Sequence, residues 1–342
     1  MRELTRRPLH AGPLDVVGDV HGEWEVLEAL LGQLGYNEKG LHPEGRKLVF
    51  VGDLCDRGPD SPRVIHFVRD LVLQERAWCL LGNHELNVLR GSPKSGNGWF
   101  FETNHDQAKG EYTDSRQATA EERETFTAFF DALPLTLERA DLRLVHACWQ
   151  TPAQDRMQAL KGGAADAYAA EELRVSTELA AHPDYAPGER ERAAYDAIAA
   201  DPKQSLPPLP HFARQEERYQ NGNAVRVLTS GMERVTDTPF YSTGKWRLHQ
   251  RVRWWNEYAD EVPVIFGHYW RMADGASFPA HKGAGNQFEG VGQHEWLGPK
   301  KNAYCVDFSV GFRSFERAAG KTRDFAGRLG AVRWPERQVI LC

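Results

Sequence analysis

An α/β fold, with helices covering both faces of the sheet, is the architecture this sequence predicts. Short apolar runs rich in β-branched residues recur, and five of them lead into a residue of metal-ligand type. Amphipathic stripes with recognisable caps lie between them. Near-continuous apolar runs of this length suit strands buried on both faces, because a half-exposed strand would alternate with polar residues.

The first run, Leu14-Asp15-Val16-Val17, leads into Gly18-Asp19. Trp24, Leu27, Leu30, Leu31 and Leu34 then keep helical spacing up to Gly35, which fits the left-handed position after a helix. Lys47-Leu48-Val49-Phe50-Val51 runs into Gly52-Asp53. Ser61 followed by Pro62 reads as an N-cap with proline at the first helical position, ahead of Val64, Ile65, Val68, Leu71 and Val72. Ala77-Trp78-Cys79-Leu80-Leu81 precedes Gly82-Asn83-His84. Residues 91–118 are polar, Gly-bearing and too long for an ordinary connection, which predicts a functional or mobile loop. Thr119 and Glu122 have capping-box spacing before Phe126, Phe129, Phe130 and Leu133.

Leu142-Arg143-Leu144-Val145 ends at His146, and Val262-Pro263-Val264-Ile265-Phe266 ends at Gly267-His268. Between them the composition shifts to Ala, Glu and Arg, predicting surface helices closed off by Asp201-Pro202 and Leu206-Pro207-Pro208-Leu209-Pro210. We read 1–342 as a single domain carrying an insertion or cap over 151–255. Sheet segments resume at Asn302-Ala303-Tyr304-Cys305-Val306-Asp307 and end with 327–334 and 338–341.

A chain of 342 residues buries a large core, and 41% hydrophobic with 26% charged residues is a globular composition. The net charge of -6 argues against a general attraction to nucleic acid or an anionic membrane, since both need a positive field. No run of about 18 apolar residues occurs, and no signal-peptide-like stretch follows Met1 to Arg7, so we expect a soluble, cytoplasmic protein. Cys55, Cys79, Cys148, Cys305 and Cys342 form no close-spaced pair, which predicts buried thiols rather than disulfides or a metal clip.

Asp19 and His21 stand two apart, so both can face one side as an extended chain leaves the sheet. Asp53 is followed by Asp56-Arg57-Gly58-Pro59 in a tight turn. Glycine directly before Asp19, Asp53, Asn83 and His268 permits an abrupt turn and a close backbone approach. In open α/β sheets ligands bind beyond the carboxyl ends of the strands, where these loops would converge. Carboxylate, imidazole and amide oxygen together suit manganese, iron or zinc, and the lack of cysteine argues against structural zinc.

Six ligand-type residues, Asp19, His21, Asp53, Asn83, His146 and His268, are too many for one catalytic ion with open positions. They suit two ions sharing a bridging carboxylate. Two ions roughly 3.5 to 4 Å apart clamp the attacking and leaving oxygens of a phosphoryl displacement and hold a bridging water acidic enough to be hydroxide near neutral pH. Arg57 offers a planar guanidinium fork to the phosphoryl oxygens. His84, oriented by a carboxylate such as Asp56, is the candidate proton donor to the leaving oxygen.

Gly18-Asp19-Val20-His21-Gly22, Gly52-Asp53-Leu54-Cys55-Asp56-Arg57-Gly58 and Gly82-Asn83-His84-Glu85 resemble the signature of the calcineurin-like metallophosphoesterases. The likeness is greatest to the phosphoprotein phosphatase branch and its bacterial relatives, which include diadenosine tetraphosphatases. The resemblance implies a four-layer sandwich in which two mixed β-sheets carry helices outside. It implies that Asp19, His21 and Asp53 hold one ion, and that Asp53, Asn83, His146 and His268 hold the other. Arg57 and Asn83 would bind phosphate, and the Asp56 and His84 pair would assist the leaving group. A second phosphate-binding arginine is usual in this branch. Arg247, Arg253 and Arg271 are eligible, with Arg253 preferred because it precedes Trp254-Trp255-Asn256.

His146-Ala147-Cys148 resembles bacterial and phage members, and Trp270 stands where nuclease-like members carry a further histidine, which argues against a nuclease. The expected function is therefore dinuclear metal-dependent hydrolysis, with manganese ahead of iron or zinc. The substrate is read as a phosphoprotein or phosphomonoester, with a dinucleoside polyphosphate as the alternative and a non-catalytic scaffold as the lesser rival. Taken singly, an aspartate after a strand is often only a turn former; six such residues in dense motifs are not explained that way. His66 is read as packed or surface, His105 as a loop residue, and His249, His281 and His294 have no informative context. Trp254, Trp255 and Trp270 are read as packing residues ahead of nucleobase platforms.

Overall fold

The computed structural model describes residues 4–101, 115–242, 244–277 and 285–342, so His105, His281 and the middle of the expected 91–118 loop lie outside the described residues. The strands in chain order are β1 (Arg7–Pro8), β2 (Leu14–Val17), β3 (Lys47–Phe50), β4 (Ala77–Cys79), β5 (Thr136–Arg139) and β6 (Leu142–Val145). They continue with β7 (Glu233–Ser242), β8 (Lys245–Arg251), β9 (Val264–Phe266), β10 (Ala303–Cys305), β11 (Gly330–Trp334) and β12 (Gln338–Leu341). One sheet has the order β12-β11-β2-β3-β4 and the other β1-β5-β6-β9-β10. Both are mixed: β2, β3 and β4 run parallel while β11 and β12 reverse, and β5 opposes β6 in the second sheet.

Burial on two faces explains the apolar runs. Leu14, Val16, Val49 and Val51 of the first sheet pack with Leu137, Leu142, Leu144, Ile265 and Tyr304 of the second. Val17, Leu48 and Phe50 point the other way, into a cluster with Leu27, Leu30, Val64 and Val68 of the helices Trp24–Leu34 and Ser61–Leu73. Val145 and Phe266 of the second sheet join Val227, Leu228 and Trp254 on its outer side. Alternate side chains of each strand therefore enter different layers, giving helix, sheet, sheet, helix.

Asp15 breaks the apolar pattern of β2 without breaking the strand. It is fully buried, and its carboxylate accepts from Tyr36 Oη at 2.9 Å, Arg46 Nε at 3.1 Å and Arg333 Nε at 3.0 Å. Removing one member of such a network leaves charge buried without a partner. Asp15→Ala is expected to cost about 3–5 kcal/mol in a urea titration, and a loss under about 1 kcal/mol would contradict this role.

The helix caps follow the sequence with one displacement. Gly35 is left-handed at φ 92°, and Thr119 with Glu122 forms a reciprocal capping box. At the second helix the cap is Asp60, whose side chain accepts from Arg63 N, and Ser61 is already inside. Ser61 Oγ is engaged instead with Asp56 N at 2.9 Å. Glu122 also binds Arg116, and that bond, with the Thr119 amide and His66 assisting, draws its carboxyl from 4.5 down to about 2. This stabilisation is complete above the ordinary value and is lost as pH falls toward 2. Glu122→Gln is expected to flatten the acid limb of Tm between about pH 4.5 and 2; an unchanged limb would contradict it.

The segment expected as an insertion contains the helices Thr151–Gln158, Ala164–Ala180, Tyr185–Asp196, Pro210–Gly222 and Ala224–Ser230, followed by the hairpin of β7 and β8. Among the described residues, that hairpin pairs with neither five-stranded sheet. The helix Ala224–Ser230 is tied to the second sheet where Ala147 N donates to Leu228 O at 3.0 Å. No helix among the described residues is long and apolar enough to cross a membrane. All five cysteines are free, and all but Cys342 are buried.

Candidate metal centre

The parallel pairing of β2 with β3 and β4, and of β6 with β9, brings their carboxyl ends to one edge. Asp19, Asp53 and Asn83 leave the first sheet there, and His146 and His268 leave the second. Glycine is required directly before Asp19, Asp53, Asn83 and His268, and at two of these exits an added methyl would strike a candidate ligand. A methyl group at Gly82 would stand 2.2 Å from Asp53 Oδ1, and one at Gly267 would stand 2.2 Å from Asp19 Oδ1. Left-handed backbone at His21, Asp53, Asp56, Arg57 and His268 turns their side chains inward. Such conformations are costly for non-glycine residues, and their gathering here marks a functional edge.

Two buried groups of potential ligands result, His21 with Asp53 and His84, and Asp53 with His146 and His268. Within each group the ligand atoms lie within 4.8 Å of one another. Asp53 belongs to both. Its Oδ2 is 3.9 Å from His21 Nε2 and from His84 Nε2, while Oδ1 is 3.4 Å from His146 Nε2. Asn83 Oδ1 joins the second group, 2.7 Å from His268 Nδ1 and 3.3 Å from His146 Nε2. Asp19 stands beside the groups, and its Oδ2 accepts the His268 amide at 3.1 Å.

The imidazoles are held in usable tautomers. His21 Nδ1 faces Cys55 O at 2.9 Å and His146 Nδ1 faces Val51 O at 2.8 Å, so in each ring Nδ1 donates and Nε2 keeps the lone pair. His268 Nε2 is buried with no partner among the described residues. Burial, Arg57 and His84 push His21 well below its ordinary pKa; burial, Arg251 and His146 do the same to His268. Both shifts favour the neutral ring, the form metal ligation requires. Burial opposes ionisation of Asp53, yet His146, His84 and His21 hold its carboxyl well down. At His146 burial lowers the pKa, but Asp53, the Val51 carbonyl and Glu85 together outweigh it and raise it. Burial, then Asp307 and Asp53, drive Asp19 well up. Neutral imidazoles, an amide oxygen and crowded carboxylates form a donor set that fits divalent cations.

Arg57 and the proposed acid pair are at the first group. Arg57 Nη1 donates to His21 Nε2 at 2.6 Å and Nη2 to His84 Nε2 at 3.0 Å. His84 Nδ1 meets Asp56 Oδ2 at 2.5 Å, and Asp56 Oδ1 accepts from Trp99 Nε1 at 2.6 Å. Trp99 is buried, so it fixes a carboxylate that in turn fixes an imidazole. Glu85, fully buried, organises the edge from below: Oε2 accepts from Asp53 N at 2.9 Å and Gly82 N at 3.0 Å, and Oε1 from Leu54 N at 2.8 Å.

The arginines separate. Arg271 is fully buried and donates to the carbonyls of Cys305, Gly292 and Glu295, so it serves the core. Arg253 is exposed and reaches Asn286 O at 3.3 Å, and Arg247 reaches Ser242 O at 3.3 Å. Arg251, which the sequence did not single out, reaches His268 O at 3.3 Å and lies 5.4 Å over the Tyr269 ring. Its place follows from β7 and β8, which pair Glu233 with Arg251 at the base of the hairpin. Trp254 and Trp255 are buried against Phe266, while Trp270 is buried 5.4 Å from the Arg57 guanidinium. His66 pairs with Glu122 and His249 with Ala213 O, both away from the site, and His294 is exposed. Asp307, beyond β10, also reaches the edge, and the signal was present: another apolar strand running into a carboxylate.

Among known proteins, residues 12–163 match the family model of the calcineurin-like phosphoesterases. The bis(5'-nucleosyl)-tetraphosphatase PrpE (asymmetrical) of Oceanobacillus iheyensis is 50% identical over 74 residues, which is 21% of this chain and 30% of that protein. The chain thus spans less than a third of the length of this curated relative. A cold-active protein-tyrosine phosphatase from a psychrophilic Shewanella aligns over 99% of this chain and 83% of its own, at 15% identity and a TM-score of 0.45. A protein serine/threonine phosphatase from Saccharomyces cerevisiae aligns over 100% and 83%, at 13% identity and a TM-score of 0.44.

Proposed function

We propose that this chain, whose residues 12–163 match the calcineurin-like phosphoesterase family model, hydrolyses phosphate esters with two divalent cations gathered around Asp53. The observation that carries this reading is the membership of Asp53 in both ligand groups. Asp19, His21 and Asp53 would hold one cation, and Asp53, Asn83, His146 and His268 the other. Manganese is the first choice for this donor set, with iron or zinc as alternatives. The cations, when bound, activate water and draw charge from the phosphoryl oxygens.

The chain's own groups do the rest. His21 Nε2 has one lone pair, and Arg57 donates to it at 2.6 Å. Ligation by His21 therefore requires the guanidinium to let go, which frees its fork for a phosphate. Arg251 at the His268 carbonyl is better placed than Arg253 to act as the second arginine. His84, with Nδ1 committed to Asp56, can carry a transferable proton only on Nε2, the atom nearer Asp53, and only once the Arg57 guanidinium that donates to it at 3.0 Å has let go. An alkoxide leaving group needs that proton, whereas the phosphate leaving group of an anhydride needs it far less. The Asp56 and His84 pair thus favours a phosphomonoester or phosphoprotein as substrate.

A second reading, dinucleoside polyphosphate hydrolysis, draws on the tetraphosphatase name of the relative and on the cap. A cavity of 310 Å³ there is lined by the cations Arg192, Arg226, Lys245 and Arg247 together with the carboxylates Asp196, Glu216 and Glu233, and burial with the charges of Arg247 and Lys94 lowers the Lys245 pKa. We read 151–255 as the cap that controls access. A manganese-supplemented assay comparing p-nitrophenyl phosphate, a phosphoseryl peptide and diadenosine tetraphosphate tests both. Turnover of the peptide ahead of the tetraphosphate supports the first reading, the reverse order the second, and no turnover of any of them returns the scaffold alternative.

A further inference from the structure

Asp307 lies two residues beyond β10 and is 1% exposed. Its carbonyl accepts from Arg271 N at 3.0 Å, and its Oδ1 accepts from Ser309 N at 2.8 Å, which fixes the direction of the carboxylate. Oδ2 is buried without a partner among the described residues. The surrounding chain is pressed onto the first motif. A methyl group at Gly18 would stand 2.4 Å from Val306 O, and one at Gly311 would stand 2.6 Å from His21 Cδ2 and 2.8 Å from Arg57 Nη1. Beyond burial and the Ser309 bond, the charges that bear on Asp307 are those of Arg57, Asp53 and His146, which belong to the two ligand groups and their arginine.

Asp19, Asp53 and Asp307 therefore bring three buried carboxylates to one edge, where Arg57 is the guanidinium that bears on both Asp19 and Asp307. Carboxylates buried together are strongly unfavourable unless cations compensate them. The ligand count is also uneven, three residues for the first cation position and four for the second. We propose that Asp307 is a metal-ligating carboxylate that joins Asp19 and His21 at the first cation position. It brings that position to four protein ligands, equal to the second. The inference rests on the two-cation reading above.

Asp307→Asn separates a ligand from a mere turn former, because the amide oxygen still accepts from Ser309 N while the charge is lost. Metal content is measured by elemental analysis on the full chain loaded with manganese and desalted, alongside manganese titration calorimetry and thermal melts with and without the metal. The wild type is expected to hold two manganese ions per chain. The variant is expected to hold one, with affinity for the second weakened more than about tenfold. Its metal-free melting point is expected to match or exceed the wild type, since a buried like charge is gone, while the rise on adding manganese shrinks. Asp307→Ser is expected to show the same loss of the second ion, and serves if the asparagine variant folds poorly. Two ions bound with unchanged affinity in the variants would overturn the role of Asp307. A wild type that binds no manganese would instead overturn the two-cation reading itself.

Discussion

Asp53→Asn is expected to abolish phosphoesterase activity and to empty both cation positions together. The reason is geometric: its two carboxylate oxygens face different partners, Oδ2 toward His21 and His84 and Oδ1 toward His146. An amide offers one oxygen acceptor and no charge, so one side loses its ligand and both lose the negative charge between them. Metal-ion stabilisation of a phosphoryl transition state is worth several kcal/mol, and about 4 kcal/mol corresponds to roughly a thousandfold in rate. Turnover of p-nitrophenyl phosphate should therefore fall by about a thousandfold or more even with excess manganese. The fold should survive, because Asn retains an oxygen to accept His84 N, now 3.0 Å from Oδ1. A variant that keeps even a tenth of wild-type turnover would remove Asp53 from the centre of the chemistry.

His84→Ala is expected to produce a loss that depends on the leaving group. General acid catalysis contributes roughly a hundredfold to ten-thousandfold where the leaving oxygen must be protonated. A phosphoseryl peptide should show losses in that range, while p-nitrophenyl phosphate, whose leaving group departs as a stable anion, should lose much less. Asp56→Asn should follow the same pattern more weakly, since the 2.5 Å bond from His84 Nδ1 would then end on a neutral partner. Equal losses with both substrates would assign His84 to binding or to the first ligand group, in which its Nε2 also stands.

The site was legible in the sequence where backbone and ligand were written together. Gly82 and Gly267 must be glycine because Asp53 and Asp19 lean on them, so the residues that make the turns possible announce the residues they bring together. The layering was legible for a similar reason, since apolar runs on β2 and β3 reflect burial on two sides. What escaped was set by contacts between distant segments. Nothing in the local pattern of 245–255 says that Arg251, and not Arg253, turns to His268; the hairpin pairing decides it. Trp99 is joined to Asp56 across 43 positions, and Glu85 to the Asp53 amide across 32, so neither leaves a local trace. Ser61 reads as a helix cap because Ser-Pro usually is one, but Asp60 competes for the position and the hydroxyl is taken by Asp56 N.

The most direct test of the account is anomalous diffraction from crystals of the full chain grown with manganese. Two peaks roughly 3.5 to 4 Å apart, one on each side of the Asp53 carboxylate, are the predicted result. A single peak, or peaks away from the ends of β2, β3, β6 and β9, would contradict it.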